Sequence, residues 1–171
     1  MKKTAIILLV VIMLTAMLTG CKNTDIPDGM KTASADNVPY MFFVPMSWVS
    51  DVEDNISSAY YSVNDQSNVA VTAYAAAMTV EEYWKLCCED YQKTFTAFVF
   101  DEKDVKSAVL GGKNAKQYTY KIRVGEKSYK LMQTITQHDN IMYSLTYTAS
   151  EENFDKHLDD VNTIISQFRF R

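Results

Sequence analysis

Three cysteines, two histidines and a few carboxylate pairs make up the reactive inventory of this 171-residue chain. Cys87 and Cys88 are adjacent, and neighbours in sequence form a disulfide only with strain. Redox or metal chemistry ordinarily uses Cys-x-x-Cys spacing or a companion histidine, and neither stands near them. His138 falls in a turn between two apolar segments. His157 lies at the edge of a helical stripe among Asp155, Asp159 and Asp160, where a solvated side chain is expected. A nucleophilic triad needs a base beside a serine, threonine or cysteine, and only these two histidines are available. There is no glycine-rich phosphate loop and no clustered metal-ligand pattern. Glu81 with Glu82, and Asp159 with Asp160, read as exposed helix residues. The expectation is a protein that is not an enzyme, with no catalytic residues, no metal and no cofactor.

The remaining cysteine, Cys21, stands in a different context. Lys2 and Lys3 precede an uncharged apolar run from Thr4 to Gly20, the layout of a secretory signal peptide. The run is at the lower limit for a membrane span, so a retained anchor helix is the alternative. Its end, Leu18, Thr19, Gly20 and Cys21, resembles the bacterial lipoprotein signal. That resemblance implies a diacylglycerol thioether on the Cys21 sulfur and cleavage between Gly20 and Cys21. It also implies a protein held at the cell membrane with its domain on the extracytoplasmic side. Two or three acyl chains give near-permanent attachment, each buried methylene contributing about 0.8 kcal/mol.

Loss of Lys2 and Lys3 with the leader leaves 15 basic against 21 acidic side chains, a net charge of about −6. Such a chain has no electrostatic reason to bind nucleic acid. Anionic headgroups repel it mildly, so membrane residence depends on the lipid at Cys21. Residues 1–20 are thus read as signal peptide and 21–37 as lipidated cysteine and flexible tether. The tether's sixteen residues from Lys22 would span roughly 20–25 Å. Residues 38–171 are read as one domain.

The elements of that domain follow from periodicity. Tyr40–Val44 suits a first strand that Pro45 ends. "ISSAYYSV" and "NVAVTAYAA" flank a polar turn and read as an antiparallel pair. "TVEEYWKLCCEDYQ" begins with Thr79 and Glu82 as a capping box. Its apolar stripe of Val80, Tyr83, Trp84, Cys87, Cys88 and Tyr91 makes the two cysteines packing residues. "AFVF" suits a strand covered on both faces. "KQYTYKIRV", "SYKLMQTIT" and "NIMYSLTYT" alternate with period two and form a meander after a turn at Gly111 or Gly112. Tyr118, Tyr120, Ile122, Tyr129, Leu131, Ile135, Ile141, Tyr143, Leu145 and Tyr147 are expected on its inner face. The tyrosines read as strand residues with hydroxyls reaching the rim. One helix is expected through "SEENFDKHLDDVNTIISQF", followed by a short strand or docked tail at "FRFR".

The order of these pieces resembles the PsbP-like superfamily, which includes bacterial PsbP-related and DcrB-like lipoproteins. The residues carrying the likeness are Phe43, Val44, Pro45 and Trp48 in "FVPMSW", Gly112 to Tyr118, Tyr143 to Ala149, and "ISQFRF". The resemblance implies an α+β fold, an antiparallel β-sheet with helices packed on both faces in a three-layer α/β/α arrangement. It further implies a non-enzymatic protein that binds something larger, and no partner-binding residues carry over. The expected function is a membrane-anchored accessory module docking on another envelope protein. The alternative is a lipoprotein that holds a small apolar ligand or lipid between helix and sheet, using Met41, Met46, Met132 and Met142.

Overall fold

The computed structural model describes residues 25–53 and 56–171. The expected signal peptide and the expected cleavage and lipidation site at Gly20 and Cys21 lie outside the described residues. The fold is mixed α+β, mostly antiparallel sheet with few helices. Three short strands come first, β1 (Met30–Thr32), β2 (Tyr40–Met41) and β3 (Phe43–Pro45). β4 (Val49–Glu53), β5 (Ile56–Tyr60) and β6 (Asn68–Ala75) lead to helix α1 (Val80–Thr94). β7 (Ala97–Phe100), β8 (Lys106–Leu110), β9 (Lys113–Val124), β10 (Lys127–His138) and β11 (Ile141–Ser150) follow. The chain closes with α2 (Glu151–Phe154), α3 (Leu158–Gln167) and β12 (Arg169–Phe170).

The eight-stranded sheet has the order β4-β5-β6-β11-β10-β9-β7, with β8 also pairing along β9. Two turns set its meander. Asp139 and Asn140, at φ 51° and 60°, join β10 to β11 through a two-residue turn with both central residues left-handed, whose twist matches that of the strands. Gly111 and Gly112, at φ 58° and 75°, do the same between β8 and β9. At Gly111 a side chain has no room, because a Cβ there would sit 2.6 Å from the Phe170 ring.

Alternate residues of β9, β10 and β11 enter two separate buried clusters. Tyr118, Tyr120, Ile122, Leu131, Ile135 and Met142 pack with Trp84 of α1. Met132, Tyr143, Leu145 and Tyr147 pack with Phe43, Val44 and Trp48 and with Val161, Ile164 and Ile165 of α3. The single inner face expected for the meander is therefore split. Register puts Tyr143 opposite Thr136 and Leu145 opposite Thr134, so Tyr143, Leu145 and Tyr147 of β11 point away from Tyr118, Tyr120 and Ile122 of β9, while Met142 shares the β9 face. Each large side chain so buried contributes roughly 1.5–3 kcal/mol.

Three further expectations are corrected. The segment read as tether is already strand at Met30, which pairs with Pro45 and is 8% exposed. The expected first strand is two, β2 and β3, with the intervening Phe42 carbonyl accepting the Ala33 N–H at 2.8 Å. The "AFVF" strand is not covered on both sides: β7 is an edge, and Val99 is 63% exposed. β12 pairs with β2, so the terminal residues form a short strand.

Candidate functional site

One connected group of polar and aromatic side chains centres on His157. The β5–β6 connection carries Asp65, whose Oδ1 accepts the Ser67 N–H at 3.0 Å and the Ser67 hydroxyl at 2.6 Å. Its other oxygen lies 2.8 Å from His157 Nε2. A carboxylate only accepts, so Nε2 holds the proton. Burial opposes the Asp65 charge, but hydrogen bonds from the Ser67 hydroxyl, from His157 and from the Ser67 N–H outweigh it and hold the pKa at about 2. Tyr61 lies over the imidazole with ring centroids 4.0 Å apart, and the Trp48 ring approaches it at 6.1 Å. Trp48 Nε1 in turn donates to Asp160 at 2.9 Å.

His157 is 7% exposed and not the solvated residue expected. The reason is a break in the last helix. The expected continuous helix is interrupted by a 3₁₀ turn at Asp155–His157, which swings the imidazole inward. Just before it, the Phe154 carbonyl accepts the Tyr147 hydroxyl at 3.0 Å. The arrangement is a clamp. Ser67 bonds to the carboxylate and not to the imidazole, so His157 activates no nucleophile there. The group fastens the β5–β6 connection and Trp48 to the last helical segment.

The second candidate region lies on α1. Thr79 caps the helix: its hydroxyl accepts the Glu82 N–H at 3.1 Å, and its own N–H donates to the Glu82 carboxylate at 2.8 Å. That pairing positions the stripe facing the sheet. Trp84 stacks on Tyr118 at 4.1 Å, and Tyr91 stacks on Tyr120 at 5.4 Å. Beneath them the buried Gln133 Oε1 accepts the Tyr120 hydroxyl at 3.1 Å and the Tyr91 hydroxyl at 3.3 Å. Its amide nitrogen donates to Ser144 at 2.7 Å. The Tyr120 hydroxyl thus ends on a buried partner and not at the rim. Tyr40 does likewise, donating to Ser57 at 2.9 Å.

Cys87 and Cys88 are half-buried free thiols at the margin of this cluster. Burial pushes both upward, and that of Cys88 reaches about 11. At neutral pH both are therefore protonated and poor nucleophiles. The interior between α1 and the sheet is occupied by aromatic rings. Outside it an open groove of about 290 Å³ runs past Trp84, Phe100 and Tyr118. The four methionines named for a ligand space do not share one. Met132 belongs to the α3 cluster, Met142 to the α1 cluster, and Met46 is 63% exposed.

The remaining candidates are dispersed. His138 ends β10 with its ring 4.4 Å from that of Phe170. Glu82 serves the α1 cap and Asp160 the Trp48 indole. Among the described residues no three His, Cys, Asp or Glu side chains gather where they could hold a metal ion. No helix among the described residues is long and apolar enough to cross a membrane. Sequence reasoning missed Asp65 and Gln133. The Asp-x-Ser spacing of Asp65 and Ser67 was a usable signal for a side-chain-closed turn, whereas nothing local marked Gln133.

No protein-family model matches the sequence, and no curated protein matches it. Solved structures do share the fold. The PsbP protein of the cyanobacterium Synechocystis sp. PCC 6803 superposes with a TM-score of 0.60 at 13% identity, covering 90% of this chain and 99% of its own. LpqN, involved in cell envelope biogenesis in Mycobacterium tuberculosis, gives 0.52 at 16% identity over 85% of this chain and 80% of its own. The Saccharomyces cerevisiae Ran-binding protein Mog1p gives 0.52 at 10% identity over 82% and 95%. These likenesses establish a PsbP-like fold.

Proposed function

We propose that the chain is a lipid-anchored, non-enzymatic accessory module of the cell envelope, attached through Cys21 and docking on another envelope protein. The observation that carries this reading is the placement of the polar and reactive side chains. Asp65, His157, Gln133 and Glu82 are engaged in contacts that hold the fold together, and burial keeps the Cys87 and Cys88 thiols protonated. Such a domain offers surfaces more readily than chemistry. The finer architecture belongs to the same reading: a three-layer arrangement, with α1 on the Trp84 cluster and α3 on the Trp48 cluster, on opposite faces of the sheet. The likeness to LpqN supports an envelope setting, and the leader ending in Leu18, Thr19, Gly20 and Cys21 supports the anchor. A shared membrane raises the effective concentration of a partner, so a weak interface suffices.

In-cell cross-linking of the intact lipidated protein tests the docking, with mass spectrometry of what is captured and a known complex as control. One recurrent envelope protein is the expected result. Repeated capture of no protein, with the control complex captured, contradicts it.

A further inference from the structure

We infer that the rim formed by the first described residues and the β1–β3 pair is a membrane-contact surface, lying against phospholipid headgroups with Ile26 and Met46 entering the interface. The inference rests on the anchored reading above and adds the orientation of the domain.

Three observations carry it. Two large apolar side chains are exposed on this rim, Met46 at 63% and Ile26 at 53%. Their backbones are tied into one surface: the Met46 N–H donates to the Gly29 carbonyl and the Met30 N–H to the Pro27 carbonyl, each at 3.0 Å. Met30 also faces Pro45 across the β1–β3 ladder.

Cationic side chains flank the apolar pair. Lys31 Nζ donates to the Met46 carbonyl at 3.2 Å. The Arg169 guanidinium donates to the Asp25 carbonyl at 3.2 Å and lies 5.5 Å from the centre of the Phe43 ring. Asp25 and Asp28 share the rim and balance Lys31 and Arg169. The rim is thus close to neutral in a chain of net charge near −6. The opposite choice, turning α1 toward the membrane, would present Glu81, Glu82, Glu89 and Asp90. Apolar side chains in the acyl boundary with Lys and Arg beside the phosphates is the ordinary pattern of interfacial contact.

Chain length leaves little alternative. Asp25 is four residues past Cys21, and four extended residues reach at most about 14 Å. The headgroup layer on one side of a bilayer occupies roughly half that distance. Because the ordered domain starts at Met30, and not at Val38, the separation that a sixteen-residue tether would have given is not available.

Fluorescence quenching decides the matter. Mature lipidated protein, beginning at Cys21 and carrying Met46→Trp, is reconstituted in phosphatidylcholine–phosphatidylglycerol vesicles with brominated acyl chains. It is compared with Leu86→Trp, on the exposed side of α1. The native Trp48 and Trp84 are buried and form a common background. Quenching of Met46→Trp at least about twofold stronger than of Leu86→Trp is expected. Ile26→Trp serves as a second reporter should the first variant fail to fold. Protein that floats with the vesicles but shows equal quenching at both positions overturns the orientation alone. Protein that does not float overturns the anchor and the orientation together.

Discussion

Asp65 Oδ2 and His157 Nε2 meet at 2.8 Å across 92 positions of sequence, joining the β5–β6 connection to the turn that breaks the last helix. The carboxylate is held at about 2, below its ordinary 3.8, so its contribution to stability has a definite pH window. The group is more acidic folded than unfolded. Its stabilisation is complete above about pH 5 and is lost as pH falls through about 2.

Asp65→Ala should cost about 2 kcal/mol at pH 6. Urea titrations at pH 6 and pH 3 check this. The gap between native protein and variant should narrow at pH 3. A gap unchanged between the two would show that the carboxylate charge is not what Asp65 contributes.

Gly111 and Gly112 separate two causes of strain. Both have positive φ, but a Cβ on Gly111 would meet the Phe170 ring at 2.6 Å, while one on Gly112 has nothing within 4 Å. Gly112→Ala should cost about 1 kcal/mol from backbone conformation alone. Gly111→Ala should cost roughly 1–3 kcal/mol more, because Phe170 must move from beside Phe168 and Tyr143. Denaturant midpoints of the two variants provide the comparison, and equal losses would remove the packing argument.

The paired thiols should be sluggish. With Cys87 and Cys88 raised by burial, a disulfide reagent at pH 7.5 should modify the folded protein at least about tenfold more slowly than the unfolded chain. Rapid, stoichiometric reaction of the folded form at that pH would make a thiol-dependent role the better reading.

Local signals and tertiary contacts divided the legibility of this fold between them. The α1 start was readable because Thr79 and Glu82 satisfy each other within one turn. The β9–β11 meander was readable because period two survives in each strand. Which side of the sheet the apolar face of β11 takes was not, since each strand alternates on its own and only register, Tyr143 against Thr136, relates it to its neighbours. β1 has three residues and no alternation, and it is a strand only because β3 pairs with it. The inward turn of His157 was hidden for the same reason. Its helix breaks where Tyr147, on the preceding strand, and Asp65, 92 positions away, supply partners. The α1 stripe disclosed that Cys87 and Cys88 pack. The Trp48–Tyr61–His157 contact arises from three separate elements and had no local signature.

The anchor is the claim on which the rest depends, and the mass of the amino-terminal peptide from membranes of the producing cell addresses it directly. A mature chain beginning at Cys21, with its sulfur carrying diacylglycerol, is expected, and Cys21→Ala should leave uncleaved precursor. An unmodified Cys21 thiol, or normal processing and membrane retention of Cys21→Ala, would contradict it.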